Sequence, residues 1–182
     1  MSDIWKHYCQ ATNETALYPE AGQSTKIELA YLTLGLIGEL GEFGELVIKE
    51  VQGISDDKKF AELGDCFWYI ARLSLFSYDI SERLIVPTPR NCITASYQES
   101  MGRLANSSKK IIRDRCAIDK FVAHVQSAAD DLATLYAIDA FTHKPEPDEF
   151  WKALQRDVLQ PNLDKLHSRL KRGAIKGDGD NR

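Results

Sequence analysis

Two long segments, 27–51 and 58–78, most constrain the fold of this chain. Each carries aliphatic and aromatic residues at three- and four-residue spacings, and neither shows the alternation typical of a half-buried strand. A capping signal, Thr25 followed by Glu28, precedes the first segment. Because apolar residues cover most of the circumference of each predicted helix, both helices must be buried against other elements.

The remaining segments complete an all-α prediction. Apolar residues at helical spacing predict three more helices, at 97–111, 121–135 and 150–170, and Pro161 interrupts the last of them. No strand pattern, internal repeat or low-complexity tract is present. The length of 182 residues fits one domain, 1–182, so we expect a single helical bundle.

Composition excludes several classes of protein. The chain is 43% hydrophobic and 27% charged, which is typical of a globular protein. Its net charge of −4 argues against binding a nucleic-acid polymer. It has no basic leader followed by an apolar run and no membrane-length apolar stretch, so neither export nor a membrane partner is expected. Four cysteines without a Cys-x-x-Cys pair predict free thiols and a cytoplasmic location.

Several carboxylates lie within the two apolar segments, where unpaired charge is costly to bury. Glu39 and Glu42 are three residues apart, as are Glu62 and Asp65, so each pair points in one direction from its helix. Glu45 lies on an adjacent part of the first helix, where it either acts together with Glu39 and Glu42 or is solvated. Oxygen ligands of this kind favour a hard divalent cation such as Mg²⁺.

The alternative interpretation is a solvated acidic stripe, or acids stabilised by the dipole at a helix start. It suits Glu62 and Asp65, which lie near a predicted helix start. It suits Glu39 and Glu42 poorly, because leucines flank them in the middle of a helix. Two such pairs on neighbouring apolar helices favour a metal site.

The segment Leu34-Gly-Leu-Ile-Gly-Glu-Leu-Gly-Glu42, followed by Glu62-Leu-Gly-Asp-Cys-Phe-Trp-Tyr69, resembles a known signature. It is the Glu-x-x-Glu and Glu-x-x-Asp signature of the MazG-like, all-α nucleoside triphosphate pyrophosphohydrolases. Residues 11–19 resemble the lead-in of phage and bacterial members, and residues 162–173 and 177–182 resemble their C-terminal part. The resemblance covers rather less than half of the chain.

The resemblance implies hydrolysis of a nucleoside triphosphate between its α and β phosphates, giving a monophosphate and pyrophosphate. It implies Mg²⁺ or Mn²⁺ as cofactor, with Glu39, Glu42, Glu62 and Asp65 as metal ligands and catalytic residues. It also implies a homo-oligomer and, for a phage-encoded member, the host cytoplasm. Residues 81–147 match no part of the signature and are interpreted as a helical insertion, and residues 173–182 as a flexible tail.

Five further residues are predicted to bind the substrate. They are Lys49, Tyr69, Asn162, Lys165 and Arg169. Lys49 and Tyr69 follow the acids on the same helix faces, although Lys49 also suits an ion pair with Glu45. The other three recur at three and four residues on the last helix and suit phosphate binding, as they would a solvated face.

The nucleobase is not specified by the sequence. Trp5, Tyr8 and Tyr18 are flat side chains suited to covering a base, and core packing is the alternative for each. The resemblance to phage-type members favours a deoxynucleotide, with a purine such as dGTP or dATP as the suggested substrate.

Two other functions are alternatives to the nucleotide hydrolase for a chain with this sequence. A di-metal carboxylate bundle requires Glu-x-x-His pairs, and the four histidines supply none. A non-catalytic helical assembly module would instead use the acids at an interface with a partner.

The segment 58–78 is apolar on more faces than a monomeric bundle readily covers, which predicts a dimer or tetramer.

Overall fold

The computed structural model of the protein describes residues 3–49, 56–90 and 97–173, and these ranges contain helices and no strand. The predicted all-α fold is therefore confirmed. No helix within these ranges is both long and apolar enough to cross a membrane. The α-helices are α1 (Asp3–Ala11), α2 (Lys26–Lys49), α3 (Asp56–Ser81), α4 (Tyr97–Asp114), α5 (Ile118–Ala140), α6 (Pro147–Leu154) and α7 (Gln160–Lys171).

Helix α3 lies at the centre of the bundle and packs against α1, α2, α5 and α7. Its apolar circumference is matched by this environment, since Leu63, Phe67, Ile70 and Leu73 are all fully buried. Tyr78 is the large apolar side chain that the described part of α3 exposes. The argument that α3 needs a second subunit to cover it is therefore wrong, because the chain covers this helix itself.

The predicted start of α2 is confirmed in atomic detail. The backbone N–H of Glu28 donates to Thr25 Oγ1 at 3.2 Å, as the capping signal requires. The buried Glu28 carboxylate accepts hydrogen bonds from the backbone N–H groups of Gly22 and Ser24 and lies 3.7 Å from Arg72. This buried guanidinium is an internal counter-ion to Glu28. The predicted end of α2 at residue 51 lies outside the described residues.

The N-terminal helix α1 was not predicted, although Trp5, Tyr8 and Cys9 have the spacing of a buried helix face. All three side chains are buried. The indole N–H of Trp5 donates to the carbonyl of Ile85 at 2.6 Å, which ties α1 to the segment after α3. Trp5 and Tyr8 therefore belong to the core and do not form an open surface for a nucleobase.

Helices α4 and α5, which lie within the expected insertion 81–147, contribute to the same hydrophobic core as the rest of the chain. They pack against each other, while α4 also contacts α2 and α5 also contacts α3. Apolar side chains of α5 such as Phe121 and Leu132 are fully buried. Whatever its origin, this region is a structural part of the bundle.

The last predicted helix is not broken at Pro161. Helix continues from α6 through a widened π-helical turn, Gln155–Leu159, directly into α7. Proline lacks an amide hydrogen and crowds the carbonyl four residues before it, and a widened turn at that point relieves the crowding. This continuity brings Asn162 and Lys165 onto a helix that packs against α3.

Candidate metal centre

Three of the four predicted ligands form one group. Glu39 and Glu42 from α2 and Glu62 from α3 each place a carboxylate oxygen within 4.8 Å of the others. Glu39 and Glu62 are half-buried, whereas Glu42 is exposed. The three-residue spacing on α2 and the packing of α2 on α3 explain this convergence. We call these three residues the acidic group.

The fourth predicted ligand, Asp65, faces α7. Its Oδ1 accepts a hydrogen bond of 2.7 Å from Asn162 Nδ2, and its Oδ2 lies 2.5 Å from Lys165 Nζ. Asp65 is nevertheless close enough to the acidic group to act electrostatically on Glu39. The two acidic pairs therefore lie close together, but Asp65 is held by α7 and is not one of the three clustered carboxylates.

The electrostatics of Glu39 reflect this concentration of acids. Burial, followed by the neighbouring carboxylates of Asp65, Glu42 and Glu62, raises the pKa of Glu39 to about 7. The ammonium of Lys165 acts in the opposite direction. A divalent cation among these carboxylates would oppose this rise in the pKa, because it would favour their charged forms.

The last helix supplies Asn162, Lys165 and Arg169, as predicted. Asn162 is buried and Lys165 is half-buried, and both contact Asp65. Arg169 lies one turn beyond Lys165 and is half-buried. Gly64 allows α7 to approach, since a Cβ at this position would lie 3.0 Å from the Cβ of Asn162. Asn162 and Lys165 therefore lie at the site, where both bind a carboxylate of the protein.

Tyr69 lies at the edge of the acidic group. It is half-buried against Gly35, where an added Cβ would come within 2.2 Å of its ring. Burial chiefly raises the pKa of Tyr69, with further contributions from Tyr31, to which it is hydrogen-bonded, and from Glu39 and Asp65. The predicted position of Tyr69 beside the acids is thus explained by Gly35 on the facing helix.

An aromatic group adjoins this edge of the site. The rings of Tyr18 and Tyr31 stack with centroids 4.5 Å apart, and those of Tyr31 and Tyr69 lie 6.1 Å apart. Trp68 contacts both Tyr18 and Tyr69 edge-on. Tyr31 is 40% exposed, so it offers a flat surface to solvent next to the acids. Tyr31 was not predicted, because a single tyrosine on an apolar helix resembles any core residue.

The remaining predicted residues have different positions. Glu45 is exposed and is not part of the acidic group. The side chain of Lys49 and residues 174–182 lie outside the described residues, so the expectations for Lys49 and for the tail are not tested.

The donor set of the acidic group defines what it can bind. The acidic group offers carboxylate oxygens from two helices, and one of its residues, Glu42, is exposed. Such a set matches the preference of Mg²⁺ and Mn²⁺ for oxygen ligands with some retained waters. Anionic ligands would be repelled there, because the same neighbouring carboxylates add to burial in raising the pKa of Glu39. The fold and this group together define an all-α protein with a candidate centre for a hard divalent cation.

Comparison with known proteins adds one relative. The chain is 41% identical over 75 residues to the Gene 37 protein of Mycobacterium phage L5. The match covers 37% of this chain and 66% of the relative, so the chain spans slightly less than two thirds of that protein's length. No family model and no solved structure matches the chain.

Proposed function

We propose that the protein is a MazG-like nucleoside triphosphate pyrophosphohydrolase that uses Mg²⁺, with Mn²⁺ as a substitute. The observation that carries this proposal is the convergence of Glu39, Glu42 and Glu62 from two neighbouring helices, with Asp65 beside them. The closeness of three of the four acids in the segment that resembles the MazG-like signature supports the proposal. A solvated acidic stripe along a single helix would not bring acids of α2 and α3 together.

The acidic group would hold the cation, with Asp65 completing the ligand set. When bound, the cation supplies a Lewis acid that screens the triphosphate from the carboxylates and acidifies the attacking water. The chain contributes the placement of the ligands, since α2 and α3 are packed along the site. Burial and the neighbouring carboxylates raise the pKa of Glu39 to about 7, and Glu39 would give up its carboxyl proton when the cation binds, because the cation favours the charged form.

Substrate contacts follow from what surrounds the acids. Lys165 and Arg169 lie one turn apart on α7 and would hold the pyrophosphate part of the substrate. Tyr31 and Tyr69 would stack on or flank the base, since aromatic faces bind nucleobases without hydrogen-bond selectivity. The proposed substrate is a deoxynucleoside triphosphate, with dGTP and dATP as the first to be tried.

We further propose that the active form is a dimer or tetramer, assembled through α2 and not through α3. Ile27 and Leu34 lie on one face of α2, and Leu34 is 70% exposed. The same face continues towards Glu42, so a second copy packed here would lie beside the acidic group. Light scattering should give a multiple of the monomer mass, and Leu34→Glu should reduce it. Ile138→Glu on α5, at a comparably exposed position, is the control that should not.

The direct test of the reaction uses water labelled with heavy oxygen. The protein is incubated with Mg²⁺ and each common NTP and dNTP, and the products are weighed. Label in a nucleoside monophosphate is the expected result, because it reports attack at the α-phosphorus. A diphosphate product would contradict the proposed reaction. No turnover of any nucleotide would favour the alternative, a helical assembly module with an acidic interface.

A further inference from the structure

We propose that Asn162 is a positioning residue that holds Asp65 in place for a divalent cation, and that Tyr8 fixes the orientation of its amide. This inference rests on the proposed metal site and deepens it. It replaces the sequence-based expectation that Asn162 binds the substrate. The evidence is a continuous set of hydrogen bonds that joins α1, α7 and α3.

The direction of each hydrogen bond follows from Asp65. An ionised carboxylate only accepts, so Asn162 must present its Nδ2 to Asp65 Oδ1, at 2.7 Å. The amide carbonyl Oδ1 then faces Tyr8, whose hydroxyl must donate to it, at 2.9 Å. The flipped amide would point a carbonyl oxygen at the carboxylate, so Asp65 selects this orientation and the hydroxyl of Tyr8 anchors it.

Burial separates Asn162 from the residues that can reach a substrate. Asn162 is 3% exposed and packs against Gly64 of α3. Tyr8 is buried as well, so both partners are fixed by the core. Lys165, in contrast, is half-buried with a longer and more flexible side chain. Of these α7 residues, Lys165 suits the substrate and Asn162 suits the protein's own carboxylate.

The charges of the two side chains that donate to Asp65 also favour different roles for Asn162 and Lys165. Asn162 is neutral, so it orients Asp65 Oδ1 without cancelling the charge that attracts a cation. The ammonium of Lys165 on Oδ2 offsets that charge and would be repelled by a cation bound nearby. Metal ligands in proteins are usually hydrogen-bonded to a residue that does not itself bind the metal. Such a hydrogen bond orients the ligand and leaves its charge intact.

The test is Mn²⁺ binding by the full chain, measured by electron paramagnetic resonance without nucleotide. Asn162→Leu should weaken Mn²⁺ binding by about ten- to hundredfold, as loss of such supporting hydrogen bonds does elsewhere. Tyr8→Phe keeps the ring in the core and should weaken binding in the same direction, by a smaller factor. In the Asn162→Leu background, Tyr8→Phe should have no further effect on binding, because its hydroxyl acts through the amide.

Two variants serve as matched controls. Gln160→Leu removes an amide that donates to Asp164 at 2.9 Å on the exposed side of α7. Tyr136→Phe removes a tyrosine hydroxyl that donates to Asp157 at 2.8 Å, away from the acidic group. Both should bind Mn²⁺ as the unmodified chain does, even if they lower the melting temperature.

The outcomes separate this inference from the proposal on which it rests. If the unmodified chain binds no Mn²⁺, the proposed metal site and this inference both fail. If the unmodified chain binds Mn²⁺ and both Asn162→Leu and Tyr8→Phe retain its affinity, the metal site stands and the positioning role is wrong. Tyr8→Phe decides the question alone should Asn162→Leu fail to fold.

Discussion

Two groups of acids in this bundle each contain half-buried carboxylates but differ in their neighbours. The acidic group of Glu39, Glu42 and Glu62 gathers carboxylates from two helices. The second group, Asp130 and Asp131, lies on α5, where Asp131 is fully buried. Both carry charge into the protein, so burial alone does not distinguish a structural acid from one suited to bind a cation.

The neighbours of the second group are donors. Arg90 donates to both aspartates, at 3.0 Å to Asp130 and 3.3 Å to Asp131. Gln126 and the backbone N–H of Thr88 also donate to Asp130. Burial raises the pKa of Asp130, and every one of these donors opposes the rise. This network fastens the segment after α3 to α5.

At Glu39, by contrast, neighbouring carboxylates add to the effect of burial on the pKa, and the ammonium of Lys165 opposes it. The comparison teaches that the sign of the neighbours, and not the depth of burial, marks the site. Donors around an acid complete a structural network within the chain. Acids around an acid favour a cation from solution.

The largest effect is expected from removing charge in the acidic site. Glu39→Gln, Glu42→Gln, Glu62→Gln and Asp65→Asn each keep the shape of the side chain, so the fold should remain while turnover of nucleotide falls about a thousandfold or more. Steady-state assays at saturating Mg²⁺, with circular dichroism as the control for folding, measure this. Full activity in two of these variants would rule out the assigned ligands.

The structural acids should give the opposite result. Asp131→Asn leaves Arg90 without one of its charged partners in a buried position, which should lower the free energy of unfolding by about 3 kcal/mol. Mn²⁺ affinity should not change. Urea unfolding and a Mn²⁺ titration of the same sample test both halves, and a loss of Mn²⁺ binding would show that the two groups are not distinct in function.

Substitutions at two glycines of α2 should change the free energy of unfolding by smaller amounts and in opposite directions. Gly35→Ala would drive a Cβ into the Tyr69 ring, so it should destabilise the fold by about 1–3 kcal/mol and disturb the edge of the acidic site. Gly38→Ala meets no atom within 4 Å and should stabilise the helix by up to about 1 kcal/mol. Thermal unfolding distinguishes them, and equal melting temperatures would contradict the packing described for Tyr69.

The smallest effect is a pH dependence of stability in the metal-free chain. The Glu39 carboxyl keeps its proton to about pH 7 when folded, against an ordinary pKa of 4.5. Between these values the folded state binds more protons, so the free energy of unfolding should decrease as pH rises, by about 1 kcal/mol after solvent screening. Glu39→Gln should flatten this dependence in urea titrations from pH 4.5 to 8, and an unchanged slope would contradict the raised pKa.

Much of the fold and site was accessible from the sequence because both depend on local spacing. Helical periodicity predicted α2 and α3, and the three-residue spacing predicted that Glu39 and Glu42 share a direction. The sequence could not indicate that Asp65 is held by Asn162, because that contact joins positions 97 residues apart. Nor could it predict the continuous helix past Pro161, which depends on a widened turn before the proline.

The most direct test of the central claim is a comparison of Mn²⁺ binding between the two groups of acids. The chain with Glu39→Gln, Glu42→Gln and Glu62→Gln combined is titrated beside the chain with Asp130→Asn and Asp131→Asn combined, each confirmed as folded. The account predicts that the first loses saturable Mn²⁺ binding and that the second retains the affinity of the unmodified chain. Retained binding in the first, or lost binding in a folded second, would contradict it.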